Sequence, residues 1–420
     1  MTNAYIIDAV RTPRGIGKVG KGSLAHLHPQ HLAATVLRAL AERNGLDTAK
    51  VDDVIWSTSA QRGKQAGDLA RMAALSAGYD TKASGVTIDR FCGGGISAVS
   101  LAAAVVGSGQ EDCVVAGGTE MMSYTNTLTQ EELAADLDVY GMGAGHAALD
   151  ALHPQSHQGV CADAVAAREG IGRAELDAYA LDSQRKAAKA IAEKRFARSI
   201  VPVLNEDGSL ALDHDEFVRP DTTIEGLGAL RASFDGAADM PSGHGTSQRE
   251  QIQKRYPDLD WQGVHHAGSS SGVVDGAAAL LLASGNFARD NGLKPRARIL
   301  AAVNIGDDPT LMLNAPVPAA RKALARAGLT TDDIDVWEVN EAFAVVAEKF
   351  IRDLGLDRSK VNPNGGAIAL GHPIGATGAI LVGTALDELE RTGGRYALVT
   401  MCAAGGMAPA IIIERVEEIA

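Results

Sequence analysis

Gly85-Val86-Thr87-Ile88-Asp89-Arg90-Phe91-Cys92-Gly93-Gly94-Gly95-Ile96-Ser97 is the stretch from which the fold can be read. Gly85 to Ile88 reads as a short buried strand, and the apolar run Ile96 to Val106 as a buried helix, which puts Cys92 at a strand-to-helix junction. Unpaired N–H groups and the positive dipole end of a helix N-terminus favour a thiolate there. Three glycines let another molecule approach the backbone closely. Taken alone, however, a free cysteine is more often an inert core residue.

The same junction recurs far along the chain. Cys92-Gly-Gly-Gly95-Ile-Ser97-Ala-Val-Ser-Leu101 can be laid on His372-Pro-Ile-Gly375-Ala-Thr377-Gly-Ala-Ile-Leu381. The glycine and the leucine coincide, and serine is replaced in kind by threonine. Each segment begins a helix after a strand, so a duplicated pair of α/β domains would make Cys92 and His372 face each other from equivalent helix starts. Around them the chain alternates strands (4–10, 53–58, 86–88, 113–116, 277–283, 297–303, 336–339, 396–401, 409–414) with helices (29–44, 68–77, 317–327, 341–354, 380–390). That alternation implies an α/β layered fold. From about 119 to 250 the character changes to amphipathic helices (162–169, 173–198) and a charged hairpin or loop (206–221), with residues 235–263 reading as an exposed insertion.

Composition excludes several classes. A net charge of −13 and an aromatic content of 4% argue against nucleic acid as a partner and against aromatic platforms. No uninterrupted apolar run is long enough to span a membrane, and the N-terminus enters a strand without a signal-peptide pattern, so no membrane insertion is expected. The four cysteines (Cys92, Cys113, Cys161, Cys402) form no C-x-x-C pair, and no histidine cluster completes a metal site. Free thiols in a reducing cytoplasm are the expectation. Cys113 reads as core, and Cys161 as either core or site-lining.

Three further positions carry chemistry. His372 sits among the glycines of Gly365–Gly378, a run that lacks the spacing and acidic residue of a dinucleotide fingerprint. Asn340 lies where a strand gives way to a helix in Val339-Asn340-Glu341-Ala342-Phe343-Ala344, which an N-cap alone would explain. Cys402 ends a strand before the turn Ala403-Ala404-Gly405-Gly406.

Together these segments resemble the thiolase family of acyl-CoA C-acyltransferases. The resemblance runs from Ile7-Asp8-Ala9-Val10-Arg11-Thr12-Pro13, through Val115-Ala116-Gly117-Gly118-Thr119-Glu120-Met121-Met122-Ser123, to Cys402. It implies a duplicated five-layered αβαβα fold with an inserted helical loop domain. The first half would take residues 1–118 and about 251–283, the CoA-binding loop domain 119–250, and the second half 284–420. It implies Cys92 as the acylated nucleophile, His372 as its base and the activator of the CoA thiol, and Cys402 as acid/base at the α-carbon. Asn340, through a water, and His372 would form one oxyanion hole, and the backbone N–H groups of Cys92 and Ala404 a second. Ser271 would contact pantetheine, Arg231 the adenine end, His157 the pantetheine tunnel and Met312 the acyl pocket. Coenzyme A enters as co-substrate, with no permanently bound cofactor, and the chain would be a homodimer or homotetramer.

The physical chemistry agrees with two cysteines in two roles. Thioester exchange needs a nucleophile with the leaving ability of CoA, and a carbon acid beside a thioester needs a separate base. Cleavage of 3-ketoacyl-CoA, as in fatty-acid β-oxidation, is the expected direction, with biosynthetic acetoacetyl-CoA formation as the alternative. The chain departs from the commoner pattern at Gln158 (Met), Ser269 (Asn), Gly93-Gly94 (Ser-Ser) and Ala404 (Gly), which bears on acyl preference. One rival remains in Gly268-Ser269-Ser270-Ser271-Gly272, which satisfies the G-x-S-x-G of a serine hydrolase using Ser270. A ketoacyl synthase typically lacks a second catalytic cysteine, so Cys402 argues against it.

Overall fold

The computed structural model describes residues 3–135, 145–242 and 245–419. Parts of two expectations, the inserted domain at 136–144 and the insertion at 243–244, lie outside the described residues. The first half runs β1 (Ala4–Arg11), β2 (Gly15–Ile16), α1 (Pro29–Asn44), β3 (Asp53–Ser57), α2 (Leu69–Ser76), β4 (Val86–Ile88), α3 (Gly94–Ser108) and β5 (Cys113–Met121). A mainly helical excursion follows: α4 (Met122–Ala135), α5 (Ala147–Leu152), α6 (Gln158–Glu169), α7 (Arg173–Ala192), the pair β6 (Val203–Leu204) and β7 (Leu210–Leu212), α8 (Ile224–Gly228), α9 (Asp235–Ala238) and α10 (Gln248–Gln253). The chain then returns through β8 (Val274–Ser284), α11 (Gly285–Asp290), β9 (Ala297–Gly306), α12 (Pro316–Ala327), β10 (Val336–Val339), α13 (Ala344–Leu354), α14 (Ala367–Leu370), α15 (Ile374–Thr392), β11 (Tyr396–Thr400) and β12 (Met407–Arg415).

The main strand path, β10-β11-β12-β9-β1-β8-β5-β3-β4, is one pattern written twice. In the first copy β4, β3 and β5 run parallel, and β8 and β1 follow antiparallel. In the second, a parallel bridge at Val361 stands in for the edge strand; β10 and β11 are parallel, and β12 and β9 antiparallel. The copies meet at a short seam, Tyr5 to Arg298 and Ile6 to Ala297.

Three apolar clusters order the layers. Leu32, Val36 and Leu40 of α1 and Leu69 of α2 pack on Val54, Trp56 and Val115, the outer face of the first copy. Ile96 and Val99 of α3 and Ile380 and Val382 of α15 lie between Ile55 and Val114 of the first copy and Val336, Val399 and Ile411 of the second. Ala319 and Ala323 of α12 and Val345 of α13 cover Trp337, Val339 and Ile412 on the far side, together with Val160 and Leu176 of α6 and α7. The result is an αβαβα stack with α3 and α15 in the middle. These two helices cross at glycines: a Cβ on Gly95 would stand 2.8 Å from the Ala379 nitrogen.

Several sequence expectations shift. Residues 91–108 are long and apolar enough, by composition, to cross a membrane, contrary to the expectation of no such segment. A helix flanked by two sheets is apolar on both faces for the same reason. β4 is an edge strand with Val86 42% exposed, not a buried one. The helix α15 begins at Ile374, six residues before the expected start, and α7 ends at Ala192 rather than 198. The 235–263 segment is not simply exposed, because Gln251, Ile252 and Trp261 are buried.

Candidate active site

Cys92 lies in a 3-10 turn, Phe91–Gly93, immediately before α3. Phe91 holds φ at 48°, the left-handed region that a bulky residue occupies only under constraint. The sulfur is buried, with the backbone N–H groups of Cys92 and Ala404 in reach. Burial first, then the charge of Glu120, push the thiol up to about 12, outweighing both N–H groups. Against the expected thiolate, desolvation exceeds what the helix start offers and favours the neutral thiol at unliganded Cys92.

Cys402 follows β11 and is also buried, and burial, then the nearby Cys92, push its thiol up. The turn beyond it is closed by Ala403 N–H donating to Met407 O at 2.7 Å, across Gly405 and Gly406 at φ 76° and 73°, where a side chain would be strained. That turn carries the Ala404 N–H to Cys92.

His372 stands two residues before α15, as Cys92 stands two before α3. The turn carrying Cys92 packs against α15. The Thr377 hydroxyl donates to Pro373 O at 3.0 Å, so its contact at 2.6 Å with His372 Nδ1 is an accepted hydrogen bond. That leaves the lone pair on Nε2, which has no partner among the described residues. Burial, then the Arg14 cation, lower the imidazole to about 3, so His372 is neutral.

Asn340 directly follows β10, its N–H donating to Thr400 O at 3.2 Å. It is not an N-cap: α13 starts at Ala344, and neither Asn340 Oδ1 nor Nδ2 has a partner among the described residues. Glu341 beside it is a brace, accepting from Tyr179 (2.9 Å), Ser183 (2.7 Å), Asn362 (3.0 Å) and Ile368 N–H (3.1 Å). Asn340 and Thr377 share a cavity of about 10 Å³ with Arg14 and Glu338.

The residues expected at CoA stand on four different segments of the chain. Ser271 is half-buried, and its N–H donates to Ala342 O at 2.9 Å, beside the Asn340 loop. His157 caps α6 through Nδ1, accepting Gly159 N–H at 3.1 Å, with its ring 5.6 Å from Phe234. Arg231 is exposed beyond α8. Met312 is fully buried at φ 64°. Cys161 is core, its thiol 3.4 Å from Thr310 O. Ser269 scaffolds, accepting His266 N–H at 3.0 Å. Ser270 donates to His266 O at 2.9 Å in a segment with no helix after it, so the hydrolase rival lacks its strand–turn–helix elbow.

Sequence comparison gives the family. The thiolase N-terminal domain profile matches residues 4–243, and the thiolase C-terminal domain profile residues 293–415. The chain belongs to the thiolase family. It is 42% identical to a 3-oxoadipyl-CoA/3-oxo-5,6-dehydrosuberyl-CoA thiolase of Escherichia coli, over 99% of this chain and 100% of that one. It is 40% identical to a steroid 3-ketoacyl-CoA thiolase of Mycobacterium tuberculosis (99% and 95%) and 39% identical to a β-ketoadipyl-CoA thiolase of Acinetobacter baylyi (99% and 100%). This thiolase is thus an acyltransferase of the acetyl-CoA C-acyltransferase type, acting on acyl-CoA and CoA.

Sequence reasoning missed Thr377, Arg14, Glu338 and a ladder of rings, His157–Phe234–Phe343–His265, spaced 5.6, 5.7 and 5.7 Å. One signal was available: Glu338 is an acid inside the otherwise apolar strand 336–339, two residues before Asn340.

Proposed function

We propose that this thiolase cleaves 3-ketoacyl-CoA in the degradative direction through an acyl-enzyme on Cys92. The supporting observation is a set of buried polar atoms without partners among the described residues, His372 Nε2 and both Asn340 amide atoms, together with Cys92, which the Ala404 N–H reaches, which lies near Cys402 and whose turn packs against the helix that follows His372. Cys92 attacks the C3 carbonyl while His372 Nε2 takes its proton. The oxyanion forms against the N–H groups of Cys92 and Ala404. The C2–C3 bond breaks, and Cys402 protonates C2 of the acetyl-CoA enolate, whose thioester oxygen rests on His372 and an Asn340-bound water. Protons balance when the imidazolium proton passes to the Cys402 thiolate. His372 then deprotonates the CoA thiol, CoA attacks the acyl-Cys92 carbonyl, and the Cys92 thiolate leaves and recovers that proton.

A neutral resting thiol suits this sequence, since the proton leaves Cys92 only when a carbonyl is in place. Ser271, His157 and Arg231 are proposed along the CoA path and Met312 at the acyl end. The relatives' names, which carry adipyl and steroid acyl groups, favour a functionalised or ring-bearing acyl group over a plain fatty chain. A panel of 3-ketoacyl-CoA substrates, from acetoacetyl to adipyl and ring-bearing, tests this. The highest kcat/KM on the last two is expected; a clear maximum on acetoacetyl-CoA with net condensation would favour the biosynthetic alternative.

A further inference from the structure

The cavity behind Asn340 holds a second polar layer that the mechanism does not use. Along β10, Trp337 and Val339 face the outer cluster and Val336 the central one, so Glu338 points with Val336 toward α15. Glu338 is 1% exposed, and neither of its carboxyl oxygens has a partner among the described residues. Arg14 meets it from the turn after β1, buried, with Nε unpartnered and one terminal nitrogen 3.4 Å from Gly371 O, next to His372. The two side chains line the same 10 Å³ cavity as Asn340 and Thr377, room for about one water.

The contrast with Glu120, the buried acid on the Cys92 side, is informative. Its carboxylate accepts from Thr58 (3.1 Å), Ser59 (2.8 Å), Gln65 (2.6 Å) and Gly375 N–H (3.0 Å) and is saturated within the fold. Buried polar atoms left without partners are rare. Here three residues orphan theirs around one water-sized space, and one of the three is the proposed oxyanion residue. The neighbouring charges are already spoken for. Arg11 pairs with Asp215 in two bonds of 2.7 and 2.8 Å, Asp215 also accepts the Arg14 N–H, and Glu341 is saturated by neutral donors and a backbone N–H. Among the charged groups, Arg14 is the one that acts on the imidazole, and Glu338, Glu341 and Asp215 in turn act on Arg14, while Glu120 acts on Cys92.

We propose that Arg14 and Glu338, bridged by one ordered water, are positioning residues for thiolysis: Glu338 and the water hold the Asn340 amide, and Arg14, 3.4 Å from Gly371 O, fixes the placement and the charge surroundings of the His372 imidazole. This rests on the assignment of His372 and Asn340 above. A cation beside the imidazole opposes its protonation, so removing Arg14 makes His372 easier to protonate, and kcat/KM should fall at a higher pH than in wild type.

The test uses the full-length enzyme, CoA and a 3-ketoacyl-CoA that wild type cleaves, with pH-jump assays to limit time at acid pH. Arg14→Gln is expected to move the acidic limb of kcat/KM up by about one pH unit, while Arg14→Lys leaves it in place. Glu338→Leu is expected to lower kcat about tenfold at unchanged KM, and Glu338→Gln, which keeps two polar atoms, to restore it within about threefold. An Arg14→Gln limb identical to wild type, or Glu338→Leu with wild-type kcat, overturns the proposal while leaving the thiolase mechanism standing. If Arg14→Gln does not fold, the Glu338 pair decides. A wild type that cleaves no 3-ketoacyl-CoA, or a Cys92→Ala variant that does, overturns the mechanism itself.

Discussion

The starts of α3 and α15 are the same backbone device used twice, and their differences are where the chemistry lies. Cys92 and His372 each stand two residues before their helix, and five residues further on Ser97 and Thr377 each bond back to a carbonyl, Gly93 O and Pro373 O, at 3.0 Å. In the first half the hydroxyl has no further hydrogen bond among the described residues. In the second it also accepts from His372 Nδ1, fixing which nitrogen carries the lone pair. The comparison teaches that duplication supplied two buried helix starts facing one another, and that side chains then divided the labour: one start presents a thiol to N–H groups, the other an oriented imidazole.

Breaking either start should have unequal consequences. On the proposed assignment, Cys92→Ala removes the nucleophile, and thiolysis should fall by about 10⁴-fold or more, measured as acetyl-CoA release. Cys402→Ala should lower thiolysis by about 10²- to 10⁴-fold but leave Cys92 able to exchange acyl groups between thioesters, because that half-reaction needs no proton at carbon. Isotope exchange between acyl-CoA and labelled CoA reads this separately. Thr377→Val should lower kcat about tenfold by releasing the imidazole. The equivalent Ser97→Ala should leave kcat unchanged and cost about 1 kcal/mol of stability in denaturant titrations. Equal kinetic losses at the two positions would remove the distinction between them.

The smallest effect is a flat line. His372, lowered to about 3, is unprotonated throughout the working range, and Cys92, raised to about 12, is protonated throughout it. A free imidazole near 6.5 would cut kcat/KM about tenfold by pH 5.5; this enzyme should instead hold its kcat/KM between pH 8 and pH 5.5. Folding stability carries the opposite sign. The unfolded chain gains a proton at this histidine below about 6.5 and the folded one does not, so stability falls with decreasing pH, by up to about 1.4 kcal/mol per unit for this group.

The overlay of residues 92–101 on 372–381 already contained the duplication and the two helix starts, because glycine crossings and strand–helix junctions are local signals. What escaped it depends on tertiary burial. The helix-start argument expected a thiolate at Cys92, but desolvation decides, and that cannot be read from neighbours in sequence. An N-cap, the bland alternative for Asn340, is excluded only by α13 beginning at Ala344. Val86 passed for core because an edge strand and a central one share a composition. Arg14 and Glu338 meet only when the turn after β1 reaches β10 across the stack, a contact between residues 324 positions apart.

The account stands or falls on a covalent bond at Cys92. Mixing the enzyme with a cleavable 3-ketoacyl-CoA in the absence of CoA, quenching in acid and mapping by peptide mass spectrometry should find the shortened acyl group on the Cys92 peptide, with one equivalent of acetyl-CoA released per site. Acetyl-CoA released with that peptide unmodified, or with the acyl group on Cys402, would contradict it.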